Sequence, residues 1–308
     1  MTTHLNKIRW GTIFLYGVLS EVLILGLAGL VDQWPINDSR RLEFGRRLAE
    51  SFARLSPLGQ AAALELFTSV LERTPNLADN PELVAVAAEI LAKAAASKGE
   101  VHCLALGLVE RIIGQSAPSP DLASSASQVI RANLSDSQKT NRTRAVHLAM
   151  RPWFDLGSAV VILLDDSEPE VRRAAMLAVG TSEAAISTDE LLHWLHDSDR
   201  EVRQLCEKAL KSRGLQDGHL RLGRVISDAR PAARLEVFEL LKGTEDLDPG
   251  VWLRRLSHDP SPALRAAAIR AAAEQRVSSL ADRLQQMAQN DPSPTIRQLA
   301  QFYWTHDQ

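Results

Sequence analysis

GSAVVILLDDSEPEVRRAAMLAVG, residues 157–180, contains the whole plan of the fold. An apolar run ends at Asp166, a short polar turn follows, Pro169 opens a new segment, and Arg172 stands six positions after the Asp. The same spacing recurs along the chain. Asp136, Asp166, Asp197, Asp228, Asp259 and Asp291 are each followed six positions later by Arg142, Arg172, Arg203, Arg234, Arg265 and Arg297. Successive arginines are 30, 31, 31, 31 and 32 residues apart. Six copies in one phase mean a stacked array of small units, an α-solenoid, because a period of this length is one supersecondary unit that cannot bury its apolar face alone.

Each unit reads as two helices joined by a turn of about five residues. The first ends at the Asp, as in ELLHWLHD before Asp197 and GVWLRRLSHD before Asp259. The second starts three residues before the Arg, at Pro169, Pro231, Pro262 and Pro294. Proline suits the first helical position, where the amide has no partner in any case. Asp199, Ser261 and Ser293 stand where an N-cap is needed. Counting from the Arg, position three is Ala175, Cys206, Val237, Ala268 and Ala300; position seven is Val179, Leu210, Leu241, Ala272 and Trp304. These are apolar and four apart, so they share the buried face. The recurring pairs Asp166, Arg172, Asp197, Arg203, Asp228, Arg234, Asp259, Arg265, Asp291 and Arg297 read as a structural ladder that satisfies turn carbonyls and amides, since every unit carries one.

The phrases DDSEPEVRRAA, DSDREVRQLCEKAL and DPSPALRAAAIRAAA resemble the HEAT-repeat family, closest in length to its short, phycobilisome-lyase-like branch. The resemblance covers residues 134–304 strongly and 38–133 weakly. It implies an armadillo-like helical superstructure whose second helices line a concave binding face, and a scaffold or adaptor rather than a given reaction. Carried onto this chain, positions one, five and eight after each Arg form that face: Arg173, Gln204, Lys208, Lys211, Glu239, Lys242 and Arg270. Their mixed charge suits a protein partner. Position five runs Leu177, Lys208, Glu239, Arg270 and Phe302, which breaks any basic stripe and speaks against nucleic acid.

With 308 residues, 45% of them hydrophobic, the chain can bury a sizeable core, and its net charge of −3 supplies no basic field. Alternating strand patterns are missing, so the class is all-α. Cys103 and Cys206 exclude a disulfide framework and both sit in apolar helical contexts.

Residues 11–31, GTIFLYGVLSEVLILGLAGLV, hold one charge, Glu21, after a tail (1–10) bearing Lys7 and Arg9. Their length matches a bilayer span. Twelve Leu, Ile, Val and Phe residues outweigh one carboxylate, at about −0.3 to −0.6 kcal/mol each against roughly +3. The favoured reading is a single-pass membrane anchor. The alternatives are a buried first helix and a cleaved signal peptide, the latter lacking a small-x-small cleavage site. Arg40, Arg41, Arg46 and Arg47 after the segment outnumber Lys7 and Arg9 before it, which puts the solenoid on the cytoplasmic side. Residues 32–39 read as a linker. Residues 40–133 hold about five helices, read as degenerate repeats or a small separate helical domain, and 134–308 hold the regular repeats.

No phosphate-loop, dinucleotide, zinc-protease or serine-hydrolase motif occurs. His193 and His196 share one helix side, but His196 falls at a variable turn position, so no metal site is expected. No cofactor or catalytic residue is expected either. The function expected is a non-enzymatic scaffold for a protein partner. The alternative is an enzyme or enzyme subunit of the phycobilin-lyase-like class. Phe302, Tyr303 and Trp304 close the last helix as a cap on its core or as an interface.

Overall fold

The computed structural model describes residues 39–72, 80–113, 118–242 and 248–306. It is all-helical, and no strand occurs among the described residues. The expected anchor at residues 11–31 lies outside them. Among the described residues no helix is long and apolar enough to cross a membrane. The described residues divide into two compact units that part between Val179 and Gly180. The division falls within the regular repeats, and helices on either side of residue 133 pack together in one unit.

In the first unit α1 (Ser39–Phe52), α2 (Pro57–Glu72), α3 (Pro81–Ala94), α4 (Glu100–Ile113) and α5 (Pro120–Leu134) precede α6 (Lys139–Ala149), α7 (Gly157–Val161) and α8 (Pro169–Val179). The boundaries follow local chemistry. Asn80 and Ser119 accept the amides of Leu83 and Leu122, and prolines fill the next position. In α1 the buried Phe44, Leu48 and Phe52 recur every four residues and form its inner face. Helices pack on their neighbours in sequence and on the next but one. One layer holds α1, α3, α5 and α7; the other holds α2, α4, α6 and α8. Lys93 reaches from α3 to the Ala49 carbonyl of α1 at 2.6 Å, fastening the first layer.

The second unit repeats the scheme with shorter first helices. α9 (Thr188–Leu191) runs into a 3₁₀ turn, Leu192–His196, and is followed by α10 (Arg200–Ser212) and α11 (Asp217–Ile226). Then come α12 (Pro231–Arg234), α13 (Val237–Lys242), α14 (Pro249–Leu256), α15 (Pro262–Glu274), α16 (Ala281–Asn290) and α17 (Pro294–His306). Ser187 and Glu190 close a capping box at α9, and Asp199 caps α10 through two amides. At Ser261 the side chain makes no cap bond; its amide is held by Asp259 instead. Gly214, at φ +92, ends α10: its amide meets Lys211 and that of Leu215 meets Leu210, a left-handed stop that favours glycine. Gly223 lets α11 lie against the 3₁₀ turn, since a Cβ there would stand 2.5 Å from Leu192 Cδ2.

The inner slots are filled as the periodicity requires. Ala175, Cys206, Val237, Ala268 and Ala300 are buried, as are Val179, Leu210, Leu241 and Ala272. The Cys206 thiol donates to the Leu191 carbonyl at 3.2 Å. Burial pushes its pKa up to about 12, so it stays a neutral core group. At the C-terminal end Tyr303 and Trp304 pack against the cluster of Ile269, Leu284, Met287, Ile296 and Ala300, whereas Phe302 is exposed.

Candidate functional site

All six Asp–Arg turns share one internal geometry. In each, the Asp Oδ1 accepts the amide two residues on: Gln138, Glu168, Asp199, Arg230, Ser261 and Ser293, at 2.7–2.9 Å. The Arg Nη1 then donates to the carbonyl of that Asp, at 2.6–2.8 Å. Five of the six also reach the next carbonyl, those of Ser137, Ser167, Ser198, Ala229 and Pro260. One side chain thus holds the turn's amide and another its carbonyls, which the polar backbone of a tight turn requires.

The rest of the guanidinium is used between repeats. Arg142 donates through Nε and Nη2 to both oxygens of Asp166, at 2.7 and 2.8 Å. Arg234 does the same to Asp259, and Arg265 to Asp291. Each such Arg therefore joins its own turn to the carboxylate of the next one by a two-pronged bond. Burial raises the Asp166 and Asp291 carboxyls, but the guanidinium forks and the turn amides outweigh it and hold both below the usual range. Asp228 differs from these three. Its carboxylate is taken by Arg230 of its own turn, at 3.1 and 3.0 Å, while Arg203 bonds the carbonyls of its own turn.

The residues expected to meet a partner are distributed as follows. Gln204, Lys208 and Lys211 are exposed on α10, Glu239 and Lys242 on α13, and Arg270 on α15. Lys211 pairs with Asp217 at 2.8 Å, and that carboxylate raises its pKa. Lys242 pairs with Glu239 at 3.3 Å. Arg173, in the first unit, is half-buried and already engaged. No hydrogen bond or ion pair joins Arg270 to the α10 group. Side chains on the other layer interact over a longer reach: Arg255 of α14 donates to the Asp189 carboxylate at 2.5 Å and to its carbonyl at 3.2 Å.

Neither a protein-family model nor a curated protein sequence matches this chain. Its chemistry therefore rests on its own residues. Among the described residues no group of three or more His, Cys, Asp or Glu is placed to hold a metal ion. His196 Nε2 lies 2.7 Å from the Arg224 carbonyl, and His193 meets Trp194 edge to face. Both are accounted for by local packing.

One feature escaped sequence reasoning. Between the turns at Asp259 and Asp291 lies a cavity of about 430 Å³, lined in part by His258, Arg265, Arg283, Met287 and Asn290. Arg283 carries no repeat signature. The hint available was that HDPSP at 258–262 and NDPSP at 290–294 form two nearly identical rigid turns one repeat apart.

Proposed function

We propose that this chain is a HEAT-type α-solenoid scaffold, without enzymatic activity, that binds a protein partner along the exposed side of its second helices. Residues 11–31 hold it at a membrane in this reading. The carrying observation is how the repeat's charged side chains are used. The recurring phase of Asp and Arg is spent inside the turns and between them, so it is architecture. The side chains left for a partner are the variable ones: Gln204, Lys208 and Lys211 on α10, Glu239 and Lys242 on α13, and Arg270 on α15. Layers of paired helices support the solenoid assignment, and mixed charge at a solvated face suits recognition of a protein of patterned charge.

The test is partner capture by the full chain. Lys208→Glu combined with Arg270→Glu should leave the thermal midpoint unchanged and weaken capture of the native partner at least ~10-fold. Unchanged capture by that variant, with capture lost on Trp304→Ala in a folded protein, would move the contact to the C-terminal end. Membrane attachment is read separately, by sedimentation of the full chain with vesicles and its resistance to salt extraction.

A further inference from the structure

Arg283, on α16, is a half-buried guanidinium with no carboxylate within ion-pair distance among the described residues. Its orientation is fixed from behind: Nε donates to Ser257 Oγ at 2.9 Å and Nη2 to the Ser257 carbonyl at 2.8 Å. Ser257 is itself buried, so the anchor is rigid. Nη1 donates to no protein acceptor among the described residues, and the residue lines the 430 Å³ cavity between the two DPSP turns. That volume falls in the roughly 300–1,000 Å³ range of ligand clefts.

The lining carries two carboxylates, Asp259 and Asp291, and two guanidiniums, Arg265 and Arg283, but both carboxylates are held by forks from arginines other than Arg283. Asp291 is matched by Arg265 and Asp259 by Arg234. Arg254, nearby, is matched by Asp282. Arg283 has no carboxylate at ion-pair distance among the described residues; Asp291 and Asp282 act on it only from farther away. His258 lines the same cavity, and partial desolvation, then Arg283 and Arg254, hold its pKa below the ordinary histidine value. A guanidinium without an ion pair, flanked by two committed carboxylates, suits a monovalent anion. A dianionic phosphate would face Asp259 and Asp291 as well. Met287 and the ring of Pro292 add apolar wall for a short aliphatic stem.

We propose that this cavity binds a carboxylate, a glutamate side chain presented by a partner polypeptide, with Arg283 as its counter-ion. Only the source of the carboxylate rests on the partner-binding reading.

The test uses the full chain and a short capped peptide with one glutamate, its glutamine counterpart, and free glutarate. Binding is read from the NMR titration of His258. The glutamate peptide should raise the His258 pKa, because it brings a further negative charge beside the imidazole, and the glutamine peptide should bind at least ~10-fold more weakly. Arg283→Gln should lose the response, and Arg283→Lys should keep part of it. Equal binding of the two peptides, or no His258 response to the glutamate peptide at millimolar concentration, would overturn the site. Tighter binding of glutarate than of the peptide would overturn the peptide source. Were Arg283→Gln not to fold, the peptide comparison on the unaltered chain still decides. No captured partner enters this titration, so its failure and that of the scaffold reading are separate results.

Discussion

At Asp259 the carboxylate receives both prongs of Arg234 from the repeat before it; one repeat earlier, at Asp228, the carboxylate is claimed by Arg230 two residues away. The backbone bonds of the two turns are the same. Of the side chains in which they differ, the one beside the carboxylate is at position two. Position two after the Asp is Ser261 in the first turn and Arg230 in the second, and a guanidinium so close reaches the carboxylate first. Burial then sets the worth of each pair. The Arg234 and Asp259 side chains are 11% and 7% exposed, whereas Arg230 is 78% exposed. A repeat signature therefore specifies the turn, and a variable neighbour decides whether that turn is also tied to the next repeat. The second helix after Asp228 is likewise interrupted, as α12 and α13, where its counterpart after Asp259 is the continuous α15.

The comparison breaks first at Arg265. Arg265→Ala removes the clamp on two turn carbonyls and strands the buried Asp291 carboxylate, so it should cost about 3–5 kcal/mol in denaturant unfolding. Arg203→Ala, which loses carbonyl bonds alone, should cost about 1–2 kcal/mol. Equal losses for the two would mean that the inter-repeat bond adds nothing. Acid sharpens the same contrast. Asp166 and Asp291 have folded pKa values below the unfolded carboxylate value of about 3.9. Their contribution is then complete above that pH and is lost as pH falls through the folded values. Thermal midpoints should decline below about pH 4, and Asp291→Asn should make that decline shallower. The smallest effect belongs to Arg230→Ser. Removing an exposed partner should leave the midpoint within about 2 °C, and a structure of the variant should show the Arg203 fork on Asp228. If Asp228 stays without that fork, repeat geometry and not competition keeps the two apart.

Much of this was readable from spacing. The Asp–Arg phase, the prolines at 57, 81, 169, 231, 262 and 294, and the four-residue spacing of Ala175 with Val179 or Cys206 with Leu210 locate helices and inner faces, because each acts through local geometry. The helix interruption was not readable: PAARLEVFELLK has no glycine or internal proline to mark it. Nor was the cavity. Arg283 sits in an ordinary amphipathic helix, and only packing brings it beside Ser257, 26 residues earlier. Which exposed side chains meet a partner is equally illegible, since solvated positions vary without disturbing the fold.

The ladder also has a direction in time. Each forked arginine waits for a carboxylate 24, 25 or 26 residues further along the chain. At about 5–20 residues per second of synthesis, that is a wait of about 1–5 s. During it the guanidinium holds its own turn by carbonyls alone, and each of these three forks closes only when the next repeat arrives. Asp228 is excused from this relay, for its partner is made two residues later. The repeat that opens there can complete its turn as it emerges, while Arg203 behind it never receives a lock.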